Sequence, residues 1–197
     1  MTANSSKFRA EDDPSKEKER QLNVVDTPGH GKLRHHTLDL LTAEQSLRGL
    51  IFVVDAAALS SAAGLTEAAM YLHDMLLALQ KRHTTAKSSK GPSSIPVLIA
   101  ANKLDLFTAL PAQLVRSRLQ DEITNIRATR AKGLLDSAAN AEDGHDDERE
   151  WLGDGGEGAF DFKQMEEAEI EVAVLGGNVT GDKAHVDAWW NWIAQYM

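Results

Sequence analysis

Two apolar runs constrain this chain most: residues 49–55 (GLIFVVD) and 95–101 (IPVLIAA). A strand with one wet face alternates apolar and polar residues, because successive side chains point to opposite faces. These runs do not alternate. Both therefore predict strands covered on both faces, which is the signature of a parallel sheet. Pro96 falls at the start of the second run, where a missing N–H does least harm. Residues 21–26 (QLNVVD) read as a short strand ending in the turn Thr27-Pro28-Gly29, and 169–175 (EIEVAVL) as a last strand. Helical spacing fills the intervals. Residues 32–45 place Leu33, Leu38 and Leu41 on or near one side. Residues 65–79 carry a stripe of Met70, Leu72, Met75, Leu76 and Leu79. Pro111 opens a helix whose core face is Val115, Leu119, Ile123 and Ile126. Residues 183–195 form a closing helix with Val186, Trp189, Trp190 and Ile193 at packing spacing. Trp189, Trp190 and Trp192 cannot all face inward, so one is expected at the surface or against a partner. Strands alternating with helices predict an α/β domain of three layers with a mostly parallel sheet.

At 197 residues the chain holds one domain. Residues 1–20 are charged, with Phe8 their one large apolar side chain, and read as a mobile tail. The domain is expected over 21–197, with an insertion at 133–159. Between 136 and 157 stand nine acidic side chains and one basic one, Arg149. That segment is either a solvated loop or an acidic docking segment. Thirty acids against 21 Lys and Arg give a net charge of -9, which argues against a general nucleic-acid binder. Cysteine is absent, which excludes disulfides, thiolate metal sites and Cys nucleophiles. The charged start is no secretory signal, and no apolar run is long enough to span a membrane unaided.

Open parallel sheets take ligands beyond the carboxyl ends of their strands, and two polar motifs fall there. In Asp26-Thr27-Pro28-Gly29, the acid suits Mg²⁺, usually held through water. The glycine lets backbone approach a γ-phosphate. In Asn102-Lys103-Leu104-Asp105, the Asp105 carboxylate is able to accept from both N1–H and the 2-amino group of guanine, a pair adenine lacks. Asn102 would tie neighbouring loops together, and the Lys103 stem would lie over the base. A phosphate loop of the form GxxxxGK[ST] is missing. Gly31-Lys32 fails the pattern, because Leu33 replaces Ser or Thr and Asp26 stands at the first glycine. Nor is there a convincing threonine for a Mg²⁺ switch. His35 and His36, as consecutive helical residues, are expected to point apart.

DTPGH at 26–30, GLIFVVDAAA at 49–58 and IPVLIAANKLD at 95–105 resemble the small GTPase superfamily. His30 after the glycine, the stretch 31–34, LQDEITNIRATR at 119–130, the acidic insertion and the tryptophan-bearing last helix resemble, more finely, the beta subunits of the signal recognition particle receptor. The resemblance implies a P-loop GTPase-like fold, incomplete at its N-terminus, with GTP and Mg²⁺ as cofactors. By this resemblance Asp26 serves the metal, Gly29 the γ-phosphate, and Asn102, Lys103 and Asp105 the guanine. Where relatives carry a Ser-Ala-Lys turn, this chain reads Gly176-Gly177-Asn178: either a backbone N–H near Gly176 supports the ring, or the two glycines are a plain turn. His30 is either the residue that orients attacking water or an exposed contact for a partner. The implied partner is the receptor alpha subunit's N-terminal domain. The implied place is the cytosolic face of the endoplasmic reticulum membrane, in cotranslational targeting. The chain reads as starting after the family's membrane helix and phosphate loop, with truncation favoured over a missing half supplied by another chain. Val24, Val25 and 51–54 would then need another cover. Two rival readings stay open: a nucleotide-free interaction module of the same fold, and an ADP-ribosylation-factor-type GTPase of vesicle traffic.

Overall fold

The computed structural model describes residues 23–44, 46–85, 94–138, 151–153 and 158–196. The polar tail 1–20 and most of the acidic insertion lie outside the described residues. Seven principal elements follow in order: α1 (Arg34–Ala43), β1 (Leu50–Asp55), α2 (Ala62–Thr85), β2 (Val97–Asn102), α3 (Ala112–Ala138), β3 (Val172–Gly176) and α4 (Asp187–Tyr196). The sheet is parallel throughout, in the order β1-β2-β3. Val54 pairs with Ala101 and Ala101 with Gly176, so the three strands end side by side.

The alternation of side chains across the sheet builds the three layers. On one face, Phe52, Val54, Val97, Ile99 and Ala101 meet α2 and α3 in the main core. Val115, Leu119 and Ile123 from α3 are buried there, as their spacing predicts. On the other face, Leu98 and Ala100 pack against Trp189 and Trp192 of α4. The α/β three-layer class with a parallel sheet is thus the observed one.

Four details differ from the sequence expectation. Residues 23–29 form no strand, and Val24 and Val25 are exposed. With no strand there to pair, β1 lies at the sheet edge. Its apolar run is covered on one face only: Phe52 and Val54 are buried, while Ile51 is 39% and Val53 60% exposed. Helix α4 packs on β2 and β3, and among the described residues nothing covers Val53 on this face. On α2, Met70 is exposed, and the helix buries Leu65, Ala69, Tyr71 and Ala78 around the expected stripe. On α4, Trp190 is the outward tryptophan at 62% exposure, and Trp192 takes the inward place.

Helix boundaries follow local chemistry. Helix α2 starts three residues before its apolar stripe because Ser61 caps it, its Oγ accepting from the Gly64 N–H at 3.1 Å. It runs on to Thr85, and Thr84 and Thr85 both donate back to the Lys81 carbonyl at 2.8 Å. Helix α3 continues to Ala138, beyond the composition change at 133. After the undescribed stretch the chain returns to the core. Leu152, Phe160, Phe162 and Met165 are buried, the last two on a 3-10 helix, Phe162–Ala168. Asp161 caps that helix by accepting from the Lys163 N–H at 2.9 Å.

Candidate functional site

The carboxyl ends of all three strands carry the polar residues of interest. Asn102 closes β2, and its Oδ1 accepts from the N–H of Lys103 at 2.8 Å and of Val179 at 3.2 Å. One side chain thereby joins the loop after β2 to the loop after β3. The Leu104 N–H donates to the Gly177 carbonyl at 3.1 Å and adds a second tie. Lys103 adopts a left-handed backbone with φ of 67°, uncommon for a residue with a Cβ. Its Nζ reaches Asp55 Oδ2 at 2.6 Å.

Asp55 ends β1, and its Oδ1 accepts from the N–H groups of Ala57 and Ala58 at 2.9 and 3.1 Å. The Lys103 hydrogen bond, helped by those amides and opposed by partial burial, holds the Asp55 carboxyl below the usual aspartate range. The Lys103 stem is therefore stretched across the strand ends toward β1. The sequence reading took Asp55 only as the end of an apolar run. Its signal was available: an acid closing a buried parallel strand stands where ligands bind.

Beside Asp105 opens a cavity of about 490 Å³. Leu104 and Asp105 line it from one loop, and Gly176, Gly177, Asn178, Asp182, Lys183 and His185 from the other. Gly176 packs closely on this loop: a Cβ there would lie 2.3 Å from Leu104 Cδ1, at the movable end of that side chain. At Gly177 a Cβ would meet the His185 carbonyl at 2.3 Å and the Trp189 ring at 2.8 Å. The N–H groups of the turn are engaged within the protein. Gly177 donates to Ala101, Asn178 to His185 and Val179 to Asn102. The sequence motif did not show these commitments, which depend on how the loop folds back.

The first motif lies apart from this cavity. Asp26 and Gly29 are exposed in the irregular segment 23–29 and do not line the cavity. His30 caps a short 3-10 helix, Gly31–Leu33, its Nδ1 accepting from the Lys32 N–H at 3.3 Å. Arg34 fastens the segment to the body. Its Nε donates to the Gly29 carbonyl at 3.2 Å, its Nη2 reaches Glu67 at 2.8 Å, and its guanidinium lies 4.5 Å from the Tyr71 ring centre. The rings of His35 and His36 do not point apart: their centres are 4.1 Å from one another, tilted by 38°. Among the described residues, no group of three or more His, Asp or Glu is placed to hold a metal ion.

A second ionic cluster joins α2 to α3. Arg130 Nη2 binds Asp74 Oδ1 at 2.8 Å, and buried His73 lies beside both. Burial pushes the Asp74 carboxyl up, but its contacts with His73 and Arg130 outweigh that and hold it below the usual range.

Comparison with known proteins places this geometry. The family model described as signal recognition particle receptor beta subunit matches residues 2–170. The signal recognition particle receptor subunit beta of Saccharomyces cerevisiae is 31% identical over 179 residues, covering 89% of this chain and 66% of that protein. The Mus musculus counterpart is 30% identical, with 58% of its length covered. The chain thus spans less than two thirds of the length of these curated relatives. Among solved structures, signal recognition particle receptor SRb-GDP-Mg from Chaetomium thermophilum is 46% identical with a TM-score of 0.74, covering 88% of this chain and 79% of that one. The SRb-GTP/SRX complex from the same organism is 44% identical with a TM-score of 0.73, covering 87% of this chain and 66% of that one.

Proposed function

Because this chain belongs to the signal recognition particle receptor beta subunit family, we propose that it forms the guanine-reading face of such a subunit and docks the receptor alpha subunit. One observation carries the reading. Asp105 lines an open cavity together with Gly176 and Gly177, and Asn102 bonds the two loops that line it. A carboxylate there satisfies N1–H and the 2-amino group of guanine together. Adenine would leave it unpaired, at the cost of a stranded charge. Lys103 does not line the cavity: its amine is drawn toward Asp55 at 2.6 Å, and its stem would have to turn back to lie over the base.

The residues fit the base and do not fit the rest of the nucleotide. The sequence holds no GxxxxGK[ST] cradle. Asp26 is exposed in an irregular segment, and no metal-ligating group is assembled among the described residues. Asp26 and Gly29 take up the Mg²⁺ and γ-phosphate roles, and His30 a role beside attacking water, only where a phosphate loop stands next to them. The solved relatives carry GDP with Mg or GTP, and one is a complex with SRX. In this reading the corresponding partner is the alpha subunit's N-terminal domain, contacted by the segment around residues 30–40. Attachment to the cytosolic face of the endoplasmic reticulum membrane then comes through that partner or a further segment. No described helix is long and apolar enough to cross a membrane.

The unassembled metal site also favours a second reading, an interaction module that docks the partner without nucleotide. Calorimetric titration with the alpha subunit's N-terminal domain, with and without GTP and Mg²⁺, separates the two. Tighter binding with GTP supports the first reading and equal binding the second. A folded chain that does not bind the domain overturns both.

A further inference from the structure

The loop between Gly177 and α4 has a construction that the Asn102-Lys103-Leu104-Asp105 motif by itself does not account for. Asn178 is buried, although it stands on a surface loop. Its Nδ2 donates to the carbonyls of Thr180 at 2.7 Å and Lys183 at 2.8 Å. Its backbone exchanges two hydrogen bonds with His185, at 3.1 and 2.9 Å. One residue thus closes the loop at both depths. Inside the closed loop, Gly181 has φ of +115°, which residues with a Cβ rarely adopt. A Cβ there would sit 3.2 Å from Asp105 Oδ2 and 3.4 Å from Asn178 Nδ2. The loop therefore brings bare backbone up against the carboxylate that faces the cavity.

We infer that the Asn178-closed loop is the wall that fixes the orientation of the Asp105 carboxylate, with Asn178 and Gly181 as positioning residues for base discrimination. This rests on the guanine-reading proposal above. Asp105 is exposed, and on an open loop its carboxylate would rotate freely. Two parallel hydrogen bonds to N1–H and the 2-amino group require both oxygens in the plane of the base. A wall on one side removes the rotations that offer only one oxygen. Without the wall the carboxylate still attracts N1–H, but it no longer rewards the 2-amino group.

The test compares GMP with IMP, which lacks that amino group, by NMR-monitored titration of the full chain and of its Asn178→Ala and Gly181→Ala variants. The unchanged chain is expected to prefer GMP roughly tenfold, the worth of one hydrogen bond to a charged acceptor. In both variants the preference is expected to fall toward unity, while the amide signals of β2 and α3 stay in place. Asn178→Asp, which keeps the size but loses the two N–H donations, is expected to behave like Asn178→Ala. A general loss of stability would weaken both nucleotides alike and leave their ratio unmoved. Variants that keep the original ratio overturn this inference and leave the guanine-reading proposal standing. A folded, unchanged chain with no preference for GMP overturns both.

Discussion

Asp55 and Lys103 show how a single ion pair can hold a binding face in shape. Each lies at the end of a different strand, and their 2.6 Å contact spans the strand ends. Replacing Lys103 with Met keeps the stem and removes the charge, so the Asp55 carboxyl is expected to titrate at higher pH. Carbon-detected NMR of the carboxyl reads the shift directly; an unchanged titration refutes the pairing. The sign of its linkage follows. A carboxyl lowered in the fold stabilises above the ordinary aspartate value of about 4, and that stabilisation is lost as pH falls through its own lower value. Acid unfolding of Lys103→Met should accordingly show a weaker pH dependence below about 4. Asp105 makes the sharper chemical prediction. In Asp105→Asn the amide oxygen still accepts from N1–H, but the amide N–H₂ now opposes the 2-amino group and suits a carbonyl instead. The variant is expected to lose GMP and gain XMP, whose 2-position is a carbonyl, by titration of both. Retained GMP binding would remove Asp105 from the site.

At the scale of elements, the closing helix and the segment before β3 carry more of the core than their positions suggest. Trp192 and Trp189 pack on Leu98 and Ala100, whereas Trp190 faces outward. Trp192→Ala is expected to cost about 3–5 kcal/mol in denaturant unfolding, and Trp190→Ala to stay within about 0.5 kcal/mol. Equal costs would mean the helix is rotated. Phe162→Ala should also cost about 3–5 kcal/mol, because Phe162 is fully buried beside Phe160 and under Arg116. The sequence predicted the α3 face correctly, since Val115, Leu119 and Ile123 repeat at intervals of four. It missed the burial of Leu152, Phe160, Phe162 and Met165, which lie among glycines and acids with no helical or strand period. It mistook Trp190 for Trp192 because both spacings fit a helix, and only the position of the sheet decides between them. The guanine motif was legible as four consecutive residues. The pairing of Lys103 with Asp55 and the Asn178 loop were not, because they join the motif only through the parallel register of the strands and a long return of the chain.

At the scale of the whole molecule, the described residues cover both faces of β2 and β3 but only one face of β1. Val53 and Ile51 stand exposed on a strand whose outer edge pairs with no other described strand. An edge of that kind favours association with other chains. Replacing both residues with Thr should change stability by no more than about 0.5 kcal/mol, yet reduce self-association in sedimentation velocity at rising concentration. Unchanged association would locate the sticky surface elsewhere. The apolar run at 49–55 misled because it records what a strand is built to be buried in, and not which neighbours this sheet supplies. The same sheet nevertheless aligns three strand ends so that NKLD and the Gly176-Gly177 turn meet, and the account of this protein rests on that meeting. Calorimetric titration of the full chain with GMP, with AMP as the control, tests it most directly. The account predicts heat of binding from GMP and none from AMP. Equal binding of the two, or binding of neither by a chain shown to be folded, would contradict it.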